Sequence, residues 1–152
     1  MYTDDPSGDL STLHSLGAYR KGGLVTTGDP RRFIGIPTFL RAPLMRAVTD
    51  PRIGIIGMPY DGGVVRTPGS RFGPRGIRAS CWRSPVYNPL LDVSIDDGDM
   101  VVDCGDALIS PISIADALKV MDQEITSLLE AGIIPVSVGG DHGITYPIMR
   151  AM

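Results

Sequence analysis

The sequence has little of what would mark a secreted, membrane or nucleic-acid-binding chain. Two cysteines occur in 152 residues, and neither Cys81 nor Cys104 belongs to a CxxC spacing. A dense disulfide framework is excluded. The pair reads as reduced, buried or half-buried thiols of a cytoplasmic protein, with a bridge between them as the lesser alternative. No apolar run approaches the ~20 residues that a membrane span needs. The start, Met1-Tyr2-Thr3-Asp4-Asp5-Pro6, is acidic and lacks the apolar centre of a signal peptide. A net charge of -3 provides no electrostatic case for nucleic acid or an anionic membrane as partner. Histidine is scarce too: there are two, His14 and His142.

What is present suits one globular α/β domain. Hydrophobic residues make up 43% of the chain, enough for a core, and 19 glycines with 13 prolines suit an enzyme with shaped loops. Residues 1–32 show no sustained periodicity and are rich in Asp, Ser, Gly, Thr and Pro, which predicts a flexible arm. His14 lies in that arm and reads as solvated. Residues 33–152 form the domain. Its first part, 33–49, holds Phe33, Ile36, Phe39, Leu40 and Leu44 for packing, but Pro37 and Pro43 break any long helix. It is expected to lie irregularly over the domain or against another subunit.

Arg52–Met58 is a nearly continuous apolar run, as expected of a strand covered on both faces. The loop after it carries Asp61, Arg66 and Arg71. Asp61 either caps this loop or orients a ligand, and the turn habits of aspartate favour the cap. The arginines tie the loop together or, as a minor reading, bind a carboxylated substrate. Pro74 sits where a short helix should start. Asp92, Asp96, Asp97 and Asp99 lack the spacing of a calcium loop and read as a solvated acidic loop. Met100–Asp106 is a second strand, in which Asp103 needs a partner if buried. Ile114, Leu118, Met121, Ile125 and Leu128 form one helical stripe, entered through Ser113 and Asp116 and closed by Gly132. The helix joins two strands, which makes a βαβ unit with parallel strands.

The chain is organised around Ile133-Ile134-Pro135-Val136-Ser137-Val138-Gly139-Gly140-Asp141-His142. A β-branched apolar run reads as a buried strand, and two glycines then present Asp141 and His142 at its carboxyl end. Ligands bind there in open α/β sheets. Taken alone, His142 suits a metal, proton transfer or a local hydrogen bond. Gly143 to Met152 starts a further helix, with Ile144, Ile148 and Met149 on one side.

In its setting, Gly139-Gly140-Asp141-His142 resembles the first metal-ligand motif of the ureohydrolases, the family of arginases and agmatinases. Gly57-Met58-Pro59-Tyr60-Asp61-Gly62-Gly63, running on to Pro68–Arg78, is similar to that family's first strand, loop and helix. Phe33–Pro43 resembles the N-terminal segment of its agmatinase-like branch. The resemblance implies a three-layer α-β-α fold with a parallel sheet, of which this chain carries the N-terminal half. It implies hydrolysis of a guanidino compound, such as agmatine or a guanidino acid, to urea and an amine. The reaction would use a hydroxide shared by two Mn2+ ions. His142 would be a metal ligand and Asp141 would fix the local geometry. Trimers or hexamers would be expected.

The sequence departs from the family in lacking the later Asp-x-His-x-Asp and Asp-x-Asp motifs that complete the metal shell. The expectation is therefore an N-terminal fragment that is inactive alone. The alternative is a non-catalytic half-domain that pairs with or modulates a full-length homologue. A nucleotide-binding module ranks last, because GxGxxG and a P-loop lysine are both absent. Gly143 replaces a common serine, which bears on substrate preference. Asp103-Cys104-Gly105-Asp106 matches the family's Asp-x-Gly-Asp and reads as structural.

Overall fold

The computed structural model describes residues 36–83, 87–95 and 100–152. The arm 1–32 with His14, and Asp96, Asp97 and Asp99 of the acidic loop, lie outside the described residues.

The apolar run after Arg52 forms β1 (Ile53–Met58), the centre of a three-stranded parallel sheet. β4 (Val101–Asp106) lies on one side and β5 (Ile134–Gly139) on the other. β1 is buried along almost its whole length, as a strand covered on both faces should be. Its even-numbered side chains, Ile56 and Met58, join a core with Met121, Ile125 and Leu128 of α2 (Ile114–Glu130). Ile148 of α3 (Thr145–Ala151) packs against the same core. The odd-numbered face of β1 meets α1 (Gly73–Ser80), where Pro74 lies against Gly57. Helices on both faces of a parallel sheet make the expected three-layer α-β-α arrangement.

The helix between β4 and β5 is entered and closed as its sequence implies. The Ser113 hydroxyl accepts the Asp116 N–H at 3.2 Å. At the other end Gly132 has φ +74, Gly132 N–H donates to the Leu129 carbonyl and Ile133 N–H to that of Leu128. That is a Schellman closure, which places Ile133 in the core beside Leu128. The buried stripe differs in one residue from the expected one. Ala117 is buried, whereas Ile114 is 60% exposed. Ile114 is the first helical residue, and the stripe that meets the core begins one turn later.

Two further differences follow from neighbours the sequence does not reveal. β5 was expected to be buried, yet Ile134 is 62% and Val136 44% exposed. Both share the face of Ile53 and Ile55 by register. On that face α1 meets β5 only at its carboxyl end, where Gly73 lies against the Gly139 carbonyl. Tyr87–Asn88 (β2), where the sequence marks no strand, pairs antiparallel with Val93–Ser94 (β3). Ribbons of two residues are too short to leave a periodic signal.

Residues 36–49 lie over the domain, as one of the two expected placements has it. Phe39 is buried, and Pro43 and Leu44 run beside the outer edge of β4. Ile36, expected to pack, is 53% exposed, and Phe33 lies outside the described residues. Met149, expected on the packed side of α3, is 64% exposed. Cys81 and Cys104 are both free thiols.

Candidate metal-ligand turn

The strand order places a crevice beside β1. The chain passes from β1 to β4 on one side, then crosses to β5 on the other, so the direction of winding reverses between β1 and β5. Loops leaving two such strands part in opposite directions, and ligands bind in the gap at their carboxyl ends. The Pro59–Gly63 loop leaves β1 there, and the Gly139–His142 turn leaves β5.

The two loops are joined by backbone and by one carboxylate. Gly140 N–H donates to the Met58 carbonyl at 3.0 Å and Asp141 N–H to the Tyr60 carbonyl at 2.8 Å. A Cβ at position 140 would collide with the Tyr60 carbonyl, so this approach requires glycine. Asp141 caps the short 3-10 turn His142–Ile144 by accepting Gly143 N–H on Oδ1 at 2.7 Å. Its Oδ2 accepts Gly63 N–H, also at 2.7 Å. Each oxygen of Asp141 thus holds one loop, and the residue works as a clamp. His142, next along the turn, is exposed. A Cβ at Gly143 would stand 2.8 Å from Asp141 Oδ1 and 3.2 Å from the Tyr60 ring. The missing side chain leaves room for the clamp.

Asp61 and Arg71 act within the loop after β1. The Arg71 Nε donates to Asp61 Oδ1 at 2.6 Å, its Nη2 reaches the same oxygen, and Gly69 N–H donates to Oδ2 at 2.9 Å. The Arg71 hydrogen bond holds the Asp61 carboxyl below the ordinary carboxylate range, while Asp61 raises Arg71 further. With Asp61 buried under it, Arg71 closes the 61–71 loop. Arg66 is exposed on that loop, and no described residue pairs with it. A cleft of about 40 Å³ lies between Tyr60, Asp61, Arg71 and the Ile109–Ile114 stretch, and His142 does not line it.

The donor set is one imidazole. Among the described residues no group of three or more His, Cys, Asp or Glu converges. Asp141 spends both oxygens on backbone N–H groups. These residues do not by themselves fit a dinuclear metal, which needs several ligands in fixed geometry. His142 qualifies as one donor of such a site.

The sequence singled out Asp103 but not its partner. Asp103 is 1% exposed, and Arg78 of α1 meets it with Nε and Nη2, each at 2.8 Å. Phe39 N–H and Gly105 N–H donate to the same carboxylate. Arg78 also reaches Asp106 at 2.5 Å and lies 3.9 Å over the Phe39 ring. Asp103 and Asp106 are three apart and would face opposite sides of a regular strand. An extra residue in β4, with Gly105 at φ +82, brings both to Arg78.

Known proteins resemble this chain in sequence and in fold. A guanidinopropionase of Pseudomonas aeruginosa is 40% identical over 124 residues, which cover 80% of this chain and 38% of that protein. The solved structure of proclavaminate amidino hydrolase from Streptomyces clavuligerus superposes with a TM-score of 0.73 at 32% identity, over 79% of this chain and 40% of that one. Trypanosoma cruzi formiminoglutamase, solved with Mn2+, matches 67% of this chain and 36% of its own, with a TM-score of 0.58 and 31% identity. The chain spans about two fifths of the length of these relatives. Residues 51–152 match the arginase family as a whole. The described fold, the β1–β5 crevice and these likenesses agree: this chain belongs to the arginase family.

Proposed function

We propose that the chain forms the N-terminal part of a Mn2+-dependent hydrolase that releases urea from a small guanidino compound. The observation that carries this reading is the clamped turn: Asp141 fixes both loops of the crevice and leaves His142 exposed beside it. A turn fixed in this way would set the backbone of a metal ligand before the ion arrives. The remaining ligands would come from elsewhere in a chain of the relatives' length, and the 152 residues alone would then be inactive. Agmatine and guanidino acids are the substrates considered, since relatives named for both match this chain. Homo-oligomers and a cytoplasmic location belong to the same reading.

The test is urea release from 3-guanidinopropionate, 4-guanidinobutyrate and agmatine by the complete polypeptide loaded with Mn2+. Urea from one of them, lost with bound metal in His142→Ala, is the expected result. No urea from any of the three, with metal content verified, overturns the proposal.

The exposed edge of β5 favours a second reading, a non-catalytic half-domain that pairs with a full-length homologue. Unpaired strand edges accept further strands. Co-purification of the 152-residue chain with such a homologue, without urea formation of its own, would select this reading.

A further inference from the structure

Among the described residues, one interior guanidinium has no counter-charge. Arg41 is 8% exposed, and its Nε and Nη1 are shielded from water without a hydrogen-bond partner. The other buried charges are answered, Asp103 by Arg78 and Asp61 by Arg71. A buried donor left unpaired is costly, and a buried charge more so.

The backbone is strained at the same place. Leu40 and Arg41 have φ +52 and +60, two successive side-chain-bearing residues in the region that glycine prefers. Neighbouring bonds hold the turn: Phe39 N–H donates to Asp103 Oδ2 at 2.8 Å, and Ala42 N–H to the Phe39 carbonyl at 2.9 Å. Strain and unanswered charge thus coincide on one residue. An anion at Arg41 would answer the charge.

We propose that the Phe39–Arg41 turn is a carboxylate-binding site with Arg41 as its receptor. The planar guanidinium matches a carboxylate through parallel N–H donors, where a lysine would offer only a point charge. The site is separate from the His142 turn, for Phe39–Arg41 packs on α1 and on Cys81–Arg83, on the β4 flank of the sheet. The carboxylate has two sources, a small acid in solution or an acidic side chain of a second copy. A second copy has acids to spare. Residues 36–83 carry eight arginines against Asp50 and Asp61, and residues 87–152 carry eleven acids against Lys119 and Arg150.

The Nε–H resonances of the 15N-labelled 152-residue chain test this. The Arg41 signal is assigned by its loss in Arg41→Lys. If that variant does not fold, its shift in Leu40→Gly, a residue suited to φ +52, assigns it instead. Sodium acetate is titrated at constant ionic strength against chloride, and the protein is then diluted at fixed salt. A saturable shift with acetate identifies a site for small carboxylates. A shift with protein concentration that follows a rise in sedimenting mass identifies a second copy. An Arg41 signal indifferent to both overturns the proposal.

Discussion

Arg78 and Asp103 meet through two parallel hydrogen bonds of 2.8 Å, and this pair fastens three separate parts of the chain. Asp103 belongs to β4 and Arg78 to α1, and the same carboxylate holds Phe39 N–H from the N-terminal segment. Removing one partner strands a buried charge, whereas replacing both by apolar residues removes the cost with the benefit. Asp103→Ala should therefore destabilise by about 3–5 kcal/mol. Asp103→Leu with Arg78→Met should cost less than Asp103→Leu alone. Urea denaturation of the two single variants and the double variant checks this. Equal stability of Asp103→Ala and the parent would contradict it.

Asp141 ties two loops, so its loss should be local. In Asp141→Ala the amides of Gly63 and Gly143 lose their acceptor. Their hydrogen exchange should accelerate strongly, while amides in the β1–β5 ladder keep most of their protection. The cap contributes about 1 kcal/mol, with a similar amount for the second bond. Uniform acceleration across β1 and β5 would instead mean that Asp141 holds the whole sheet.

Asp61 predicts the acid behaviour of its loop. Its folded carboxyl is lowered by Arg71 from an ordinary 3.8. A lowered pKa contributes stability that is complete above the unfolded value and disappears as pH falls through the folded one. The 61–71 loop should hold at pH 4 and open only below the ordinary aspartate range. Limited proteolysis at acid pH, compared with Asp61→Asn, reads this out. The variant loop should already be open at pH 7, and its cleavage should not change between pH 7 and 4.

Cys104 should be slow towards thiol reagents at neutral pH. Burial pushes its thiol up to about 11, and the charges of Asp103 and Glu124 add to the shift. Reaction with iodoacetamide in the native state should be slow at pH 8 and climb towards pH 11. A raised folded value also means that stability from this group is complete below the unfolded pKa near 9 and fades as pH rises through 11. A plateau in the rate below pH 9 would contradict the assignment.

Much of the architecture was legible because it rests on local periodicity. The apolar runs marked β1, β4 and β5 to within a residue, and Ser113 and Gly132 marked both ends of α2. Asp141 and His142 were placed at a strand's carboxyl end from two glycines and an apolar run. The exposure of Ile134 and Val136 was not legible, because an edge strand and a central strand share one composition. Nor was the partner of Asp103, twenty-five residues away on another element.

The sequence by itself determined the three strands of the main sheet and the helix α2, how α2 is capped and which family motif ends β5. These depend on contacts within a few residues, where side-chain type and spacing suffice. Only the tertiary structure decided that β1 lies between β4 and β5, which brings the loop after β1 beside the turn that carries His142. Only it gave Asp141 two loops to hold, turned Arg71 onto Asp61 and left Arg41 buried without a partner among the described residues. Those relations join residues far apart in the chain, and they exist only once the packing of the whole domain has chosen each side chain's neighbours.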